Sequence, residues 1–291
     1  MNTYEVEQIK AIARWKREKP GVASQVFDYV TAPMTWLVAK VIPIALVQRA
    51  VEGADFVAQS FTDSEDILRD GEVSSIDELR TKSLRLSDQL ADEVHNWAIA
   101  VSGAGGTVLG ATGFGGVALD IAALFTLSLR TTHKIGLCYG YPQVNEQLVW
   151  GVLSVSSAAN RNERKSSIEL MGDIETMVIE DVWEDITKDA VLTRVARGGT
   201  FFTTRQAGKR WGRNLAKRKS LQLVPVVGAV LSGATNISVL TDVGWAARRV
   251  FQERWLIDNG RIPVEAAKKE RRKKTPAKEE KPSSKGEFNG E

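Results

Sequence analysis

The stretch WAIAVSGAGGTVLGATGFGGVALDIAALFTLSLRTTHKIGLCYGY, residues 97–141, decides the fold. Between His95 and Arg130 the only charge is Asp120, and the first half carries Gly103, Gly105, Gly106, Gly110, Gly113, Gly115 and Gly116. Gly106 and Gly110 form G-x-x-x-G, and Gly115 continues the row in part. Small residues four apart let two helix backbones approach closely. Glycine also lets a chain reverse, which makes 113–116 a hairpin tip. The spacing predicts paired helices at 97–112 and 117–129. Each is shorter than the roughly 20 apolar residues of a membrane span. Two settings stay open for the pair, the interior of a helical bundle and insertion into lipid. A phosphate-cradling loop does not fit. Val108 occupies the last glycine position of G-x-G-x-x-G, and no Walker lysine follows.

A second copy of the idea, LVPVVGAVLSGATNISVLTDVG, occupies residues 223–244. Pro225 suits a helix opening, and Gly228, Ser232 or Gly233, Asn236 and Leu240 fall near one stripe able to pack on the first hairpin. Asp120 is then the odd residue. A carboxylate among apolar side chains must be paired, hydrogen-bonded or near water. Asn236 is its candidate partner in a polar clasp between helices. A functional acid and a solvent-exposed carboxylate are the other readings.

Working outward, residues 5–19 read as an amphipathic helix with Val6, Ile9 and Ala13 near one side, ended by Pro20-Gly21. Residues 31–61 read as a long apolar helix kinked at Pro43. Ser75 and Glu78 form a candidate capping box, after which Ile76, Leu79, Leu86, Leu90, Val94 and Trp97 recur along one seam. Gly140-Tyr141-Pro142 stops the helix that begins in the central stretch. Residues 143–157 and 168–197 read as further helices, with a polar loop at 160–167. The segment 201–219 interleaves aromatics with Lys209, Arg210, Arg213, Lys217, Arg218 and Lys219. Its bland reading is a solvated helix with Phe201, Phe202, Trp211 and Leu215 turned inward. Its sharper one is attraction to an anionic membrane surface, with a nucleic-acid backbone less favoured.

The chain has 291 residues, 43% hydrophobic and 26% charged, which suits a folded helical protein with a sizeable core. Residues 261–285 hold ten basic and four acidic residues; against the whole chain's +3, this leaves −3 for the rest (3 − 6). The basic balance therefore belongs to a lysine-rich tail, 261–291, expected to be disordered. Residues 1–260 are expected to form one helical domain. The lone Cys138 excludes an internal disulfide and a cysteine metal cluster, and no acid or histidine stands beside it to activate the thiol. His95 and His133 lack zinc-site spacing, and each reads as a helix-surface or capping residue. No metal, cofactor or catalytic set is expected. Asp120, Arg130 and His133 are the one cluster to test, and their spacing does not place all three on one helical face. The charged N-terminus lacks a secretory core, so a cytoplasmic protein, associated with the inner face of the membrane, is the expectation.

Asp120 with Leu129-Arg130, then Tyr139-Gly140-Tyr141, then Pro225-Val226-Val227-Gly228 with Asn236 together resemble the bacterial EcsC protein family, from about Tyr4 to Leu256. The resemblance implies a helical, membrane-associated protein and supplies no reaction or catalytic residue. Some relatives carry a peptidase label, which this chain's isolated histidines and cysteine do not support. The expectation is an all-α, multi-helix bundle around the two glycine-rich segments, acting as a non-catalytic membrane-associated scaffold. A membrane protein is a further candidate partner. A soluble module for a lipid or apolar ligand, and a hydrolase, are the alternatives.

Overall fold

The computed structural model describes residues 1–18, 63–110, 114–144, 146–158, 162–168, 211, 214–215 and 228–263. These residues form helices and turns with no strand among them. The fold is an all-α multi-helix bundle. Helix α1 spans Thr3–Arg17, α2 Glu65–Asp70, α3 Leu84–Gly110, α4 Phe114–Cys138, α5 Glu146–Ser156 and α6 Gly228–Asp258, with a 3-10 turn at Ile76–Thr81. The expected helix at 31–61 lies outside the described residues. So do all but Ile168 of the one at 168–197, the candidates Lys209, Arg210, Arg213, Lys217, Arg218 and Lys219, and the tail from 264.

Among the described elements the central pair is α3 and α6, which pack on one another more extensively than any other two. They run antiparallel, since contacts step down α3 as they climb α6: Asp88 meets Gln252, Asp92 meets Arg248, and Ser102 meets Asn236. With 27 and 31 residues they are about 40 and 46 Å long at 1.5 Å per residue. Helix α4 lies against both, and α5 packs on α4 and α6. The apolar core has two lobes. One gathers Leu79, Leu90, Ile135, Tyr139, Val152, Phe251 and Leu256, and the other Phe125, Leu129, Trp150, Leu153, Trp211 and Leu240. Trp211 and Leu215 of the basic segment are both buried, with the Trp211 ring 4.9 Å from Phe125.

Several boundaries differ from the sequence expectation, each for a local reason. The hairpin helices are longer, and Phe114 through Gly116 already belong to α4 instead of a tip. Ser75 makes no backbone cap, and the segment after it is a 3-10 turn; α3 starts afresh at Leu84, where Ser83 Oγ accepts from the Leu86 amide. Residues 162–168 are helical, with Ser167 buried against Ser154. Helix α1 begins at a capping box in which Asn2 and Glu5 each accept the other's backbone N–H. Helices α4 and α6 close in the same way. Gly140 and Gly260 adopt φ of +84° and +66°, and the next amide reaches back to the carbonyl of Gly136 or Leu256. Any side chain at Gly140 would also sit 2.4 Å from the Arg80 backbone nitrogen, so the turn and the close approach both require glycine.

Candidate functional site

The chemistry-bearing residues are strung along the α3/α6 seam. At its far end Asp120 of α4, 1% exposed, accepts from Ser232 Oγ and from Asn236 Nδ2, each at 2.8 Å. Asn236 Nδ2 also reaches the Ser102 carbonyl at 3.4 Å. This cluster therefore joins α3, α4 and α6, and the structure brings Asp120 and Asn236 together. Ser232 and Asn236 thus donate a hydroxyl and an amide N–H to the buried carboxylate and tie α6 to α4. Gly233 is buried on α6. Gly106, Gly110, Gly115 and Gly228 fall within helices whose packing there lies outside the described side chains. Among the described glycines, close helix contact is made at Gly103, where an added Cβ would meet Ile237 at 3.0 Å, and at Gly244.

At the near end Asp88, also buried, is a hub. Gln252 Nε2 donates to it at 2.6 Å and Tyr4 Oη at 2.5 Å, and Tyr139 Oη donates as well. Burial first, and then the neighbouring Asp88, push both phenols well above the usual tyrosine range. Gln8 of α1 accepts from Arg249 at 2.9 Å, and Lys16 pairs with Glu253 at 2.5 Å, so polar bonds to α6 add to the packing of Ile12, Ile9 and Trp15 on the core. Sequence reasoning missed this hub. Its signal was present, because Asp88 falls four residues after Leu84 and three before Ala91, in the buried phase of α3.

His95 lies between these clusters and is 3% exposed, a correction to its reading as a surface or capping residue. The missing side chain at Gly244 makes the room, for a Cβ there would stand 2.1 Å from His95 Cδ2. The Trp245 ring stands edge-on to it, 6.0 Å between centres. The His95 Nε2 has no partner among the described residues. Burial first, and then nearby Arg248, depress its pKa below the ordinary imidazole value. Burial likewise depresses His133 and pushes the Cys138 thiol far up, out of the nucleophile range. The Asp120–Arg130–His133 cluster does not assemble around one point. Asp120 turns to α6, whereas Arg130 faces Asp63 at 3.8 Å and stacks on Trp97. Among the described residues no group of histidine, cysteine and acidic side chains could hold a metal.

The outer side of the same helices is apolar. Trp97 is 47% exposed, and Val101, Ile237 and Trp245 are each 41% exposed. Trp97 therefore does not belong to the buried seam of Leu90 and Val94; it sits a third of a turn away from Ala98. Asn96, Ala100 and Ala104 are exposed beside it, as are Ala123 and Thr126 on α4. Arg130 of α4 lies 5.1 Å from the Trp97 ring centre, while Ile237 touches Gly103 and Trp245 meets the His95 ring edge-on at 6.0 Å. These contacts make α4, α3 and α6 one continuous surface with α3 in the middle. Among the described residues no helix is long and apolar enough to cross a membrane.

The fold and its seam define a class: an antiparallel helical bundle stitched by buried carboxylates. The chain belongs to the EcsC protein family, whose model matches residues 6–256. It is 27% identical over 191 residues to the "Uncharacterized protein YdbA" of Bacillus subtilis (strain 168). The match spans 63% of this chain and 63% of that protein's length. No solved structure matches.

Proposed function

We propose that this protein is a non-catalytic helical scaffold that docks on the cytoplasmic face of the membrane through the outer surface of α3, α4 and α6. The observation that carries this is the pairing of exposed tryptophans with arginines on a surface that also exposes Val101, Ile237 and several alanines. Trp97 carries Arg130, and Trp245 carries Arg248 and Arg249 at 4.6 and 5.2 Å. Tryptophan favours the headgroup level of a bilayer, and arginine beside it meets lipid phosphate. The acids fit the scaffold role. Asp88 and Asp120 are spent on hydroxyl and amide donors that tie helices together. The basic segment at 201–219 and the lysine tail add longer-range attraction to an anionic surface in this reading.

Flotation with neutral and anionic vesicles, at low and high salt, tests the proposal. Wild-type protein should float with anionic vesicles. Replacing Trp97 and Val101 by serine should abolish that without unfolding the chain, since both are exposed. Binding that salt removes would place the attraction in the charges, and salt-resistant binding would place it in the tryptophan face. No flotation under any condition would overturn the proposal in favour of a soluble module for an apolar ligand.

A further inference from the structure

We propose that the bundle enters the hydrocarbon of one membrane leaflet obliquely, with the α3–α4 tip deepest and Trp97 and Trp245 at the headgroups. This rests on the membrane reading above and adds to it the direction and depth of entry. Polarity on the outer surface changes at one level. His95, two residues before Trp97, meets the Trp245 ring, and Arg130 lies 5.1 Å from the Trp97 ring, so both tryptophans and the arginines beside them stand at nearly one height. On one side of that level α3 exposes Arg85, Gln89, Asp92 and Glu93. On the other side, towards the tip, Val101, Ala104, Ala123, Thr126, Ala234 and Ile237 are exposed, and none of them is charged. Residues 96–119 and 220–241 hold no charged side chain at all. The one charge of these helices beyond the level is Asp120, which is buried and accepts from Ser232 and Asn236.

The lengths decide how far the tip can go. From Trp97 to the end of α3 at Gly110 is about 20 Å at 1.5 Å per residue. From Arg130 back to the start of α4 at Phe114 is about 24 Å, and from Trp245 back to the start of α6 at Gly228 about 26 Å. The hydrocarbon core of a bilayer is about 30 Å thick. With the tryptophans at the headgroups all three helices therefore end inside the bilayer, in keeping with the absence, among the described residues, of any helix able to cross it. An upright bundle would carry its tip past the midplane, about 15 Å down; a tilted axis, with the outer face of α3 against lipid, keeps it in one leaflet. Hydroxyls near the face fold back on their own helices: Ser102 Oγ donates to the Ile99 carbonyl and Thr241 Oγ1 to the Ile237 carbonyl, each at 2.8 Å. Polar groups satisfied within a helix need no water and can enter lipid. Asp92 and Glu93 cannot follow, because an exposed charge in hydrocarbon is costly, and they hold the other end of α3 in water. Between the two, Arg130, Arg248 and Arg249 lie where the phosphates of an anionic leaflet would meet them.

The test places an environment-sensitive dye on the full chain at one introduced cysteine at a time, Glu93→Cys, Ala104→Cys or Ala123→Cys, all at exposed positions. Cys138 is buried and stays unlabelled in the folded protein. Glu93 and Ala104 lie about 16 Å apart along α3. Phosphatidylglycerol vesicles with brominated acyl chains quench a dye that reaches hydrocarbon. On such vesicles the Ala104 and Ala123 labels should lose most of their emission and shift to the blue, whereas the Glu93 label should keep both its intensity and its wavelength. Ala104→Glu should abolish flotation with an unchanged circular dichroism spectrum, and Gln89→Glu should float as the wild type does. Equal quenching at Glu93 and Ala104 means flat docking; it overturns the proposal and leaves the membrane reading standing. Flotation with no label quenched, or undiminished in Ala104→Glu, does the same. Absence of flotation overturns both, and a dimer whose Ala104 label is blue-shifted without lipid then assigns the face to a second copy of the chain.

Discussion

Gly244→Ala should destabilise this protein, against the usual rule for a glycine inside a helix. In an ordinary helix interior the change stabilises by about 1 kcal/mol. Here the new methyl would stand 2.1 Å from His95 Cδ2, 2.3 Å from Nε2 and 2.6 Å from Cγ, where ordinary contact begins at 3.4 Å. The ring must retreat by more than an ångström. It has little room, because it is buried between α3 and α6 with the Trp245 ring edge-on beside it. Overpacking of this kind costs about 1–3 kcal/mol. The clash offsets the helix propensity of about 1 kcal/mol and leaves a net loss of up to about 2 kcal/mol. Urea unfolding followed by far-ultraviolet circular dichroism measures it. Gly105→Ala is the control: that glycine lies in α3 with nothing within 4 Å of an added Cβ, so the same substitution should stabilise by about 0.5–1 kcal/mol. A cycle with His95→Ala isolates the cause, since removing the ring removes the clash, and the coupling energy should be at least about 1 kcal/mol. A Gly244→Ala protein that gains stability as Gly105→Ala does, or a cycle that is additive, would refute the reasoning.

Two more predictions concern the buried carboxylates and phenols. Asp120→Leu leaves the Ser232 hydroxyl and the Asn236 amide facing an apolar side chain and should cost about 2–5 kcal/mol, whereas Asp120→Asn keeps an acceptor and should cost less than half as much, both read from urea midpoints. Equal losses from the two would argue against a clasp. Tyr4, Tyr139 and Tyr141 all have folded-state values raised by burial and then by neighbouring carboxylates, so their contribution is complete below the unfolded tyrosine value of about 10 and is lost as pH rises beyond it. Alkaline titration should therefore show tyrosinate absorbance from these three appearing together with loss of helix. Ionisation at ordinary pH in a chain that stays folded would contradict their burial.

The helices, their glycine-rich character and the pairing of Asp120 with Asn236 were legible because they follow from local rules. Apolar runs at helical spacing must be buried, and a carboxylate inside such a run needs a donor from another element. Gly140-Tyr141-Pro142 gave away the end of α4, since a left-handed cap all but requires glycine. The internal boundaries were harder. A 3-10 turn at Ile76–Thr81 and a helix start at Phe114 hinge on which donors the fold supplies at each end.

What the sequence by itself determined, then, is the helical class, the two segments that had to be buried and the carboxylate that had to be satisfied. Tertiary structure decided the register. Only the antiparallel pairing of α3 with α6 sets His95 over Gly244, Asp88 against Gln252, and Asp92 against Arg248. It also turned Trp97 outward, away from the seam its neighbours Val94 and Ala98 enter. Periodicity says which residues share a face of one helix. Which face meets which partner is settled by packing between segments some 140 residues apart in the chain, where a glycine on one helix fits only the ring that the other presents.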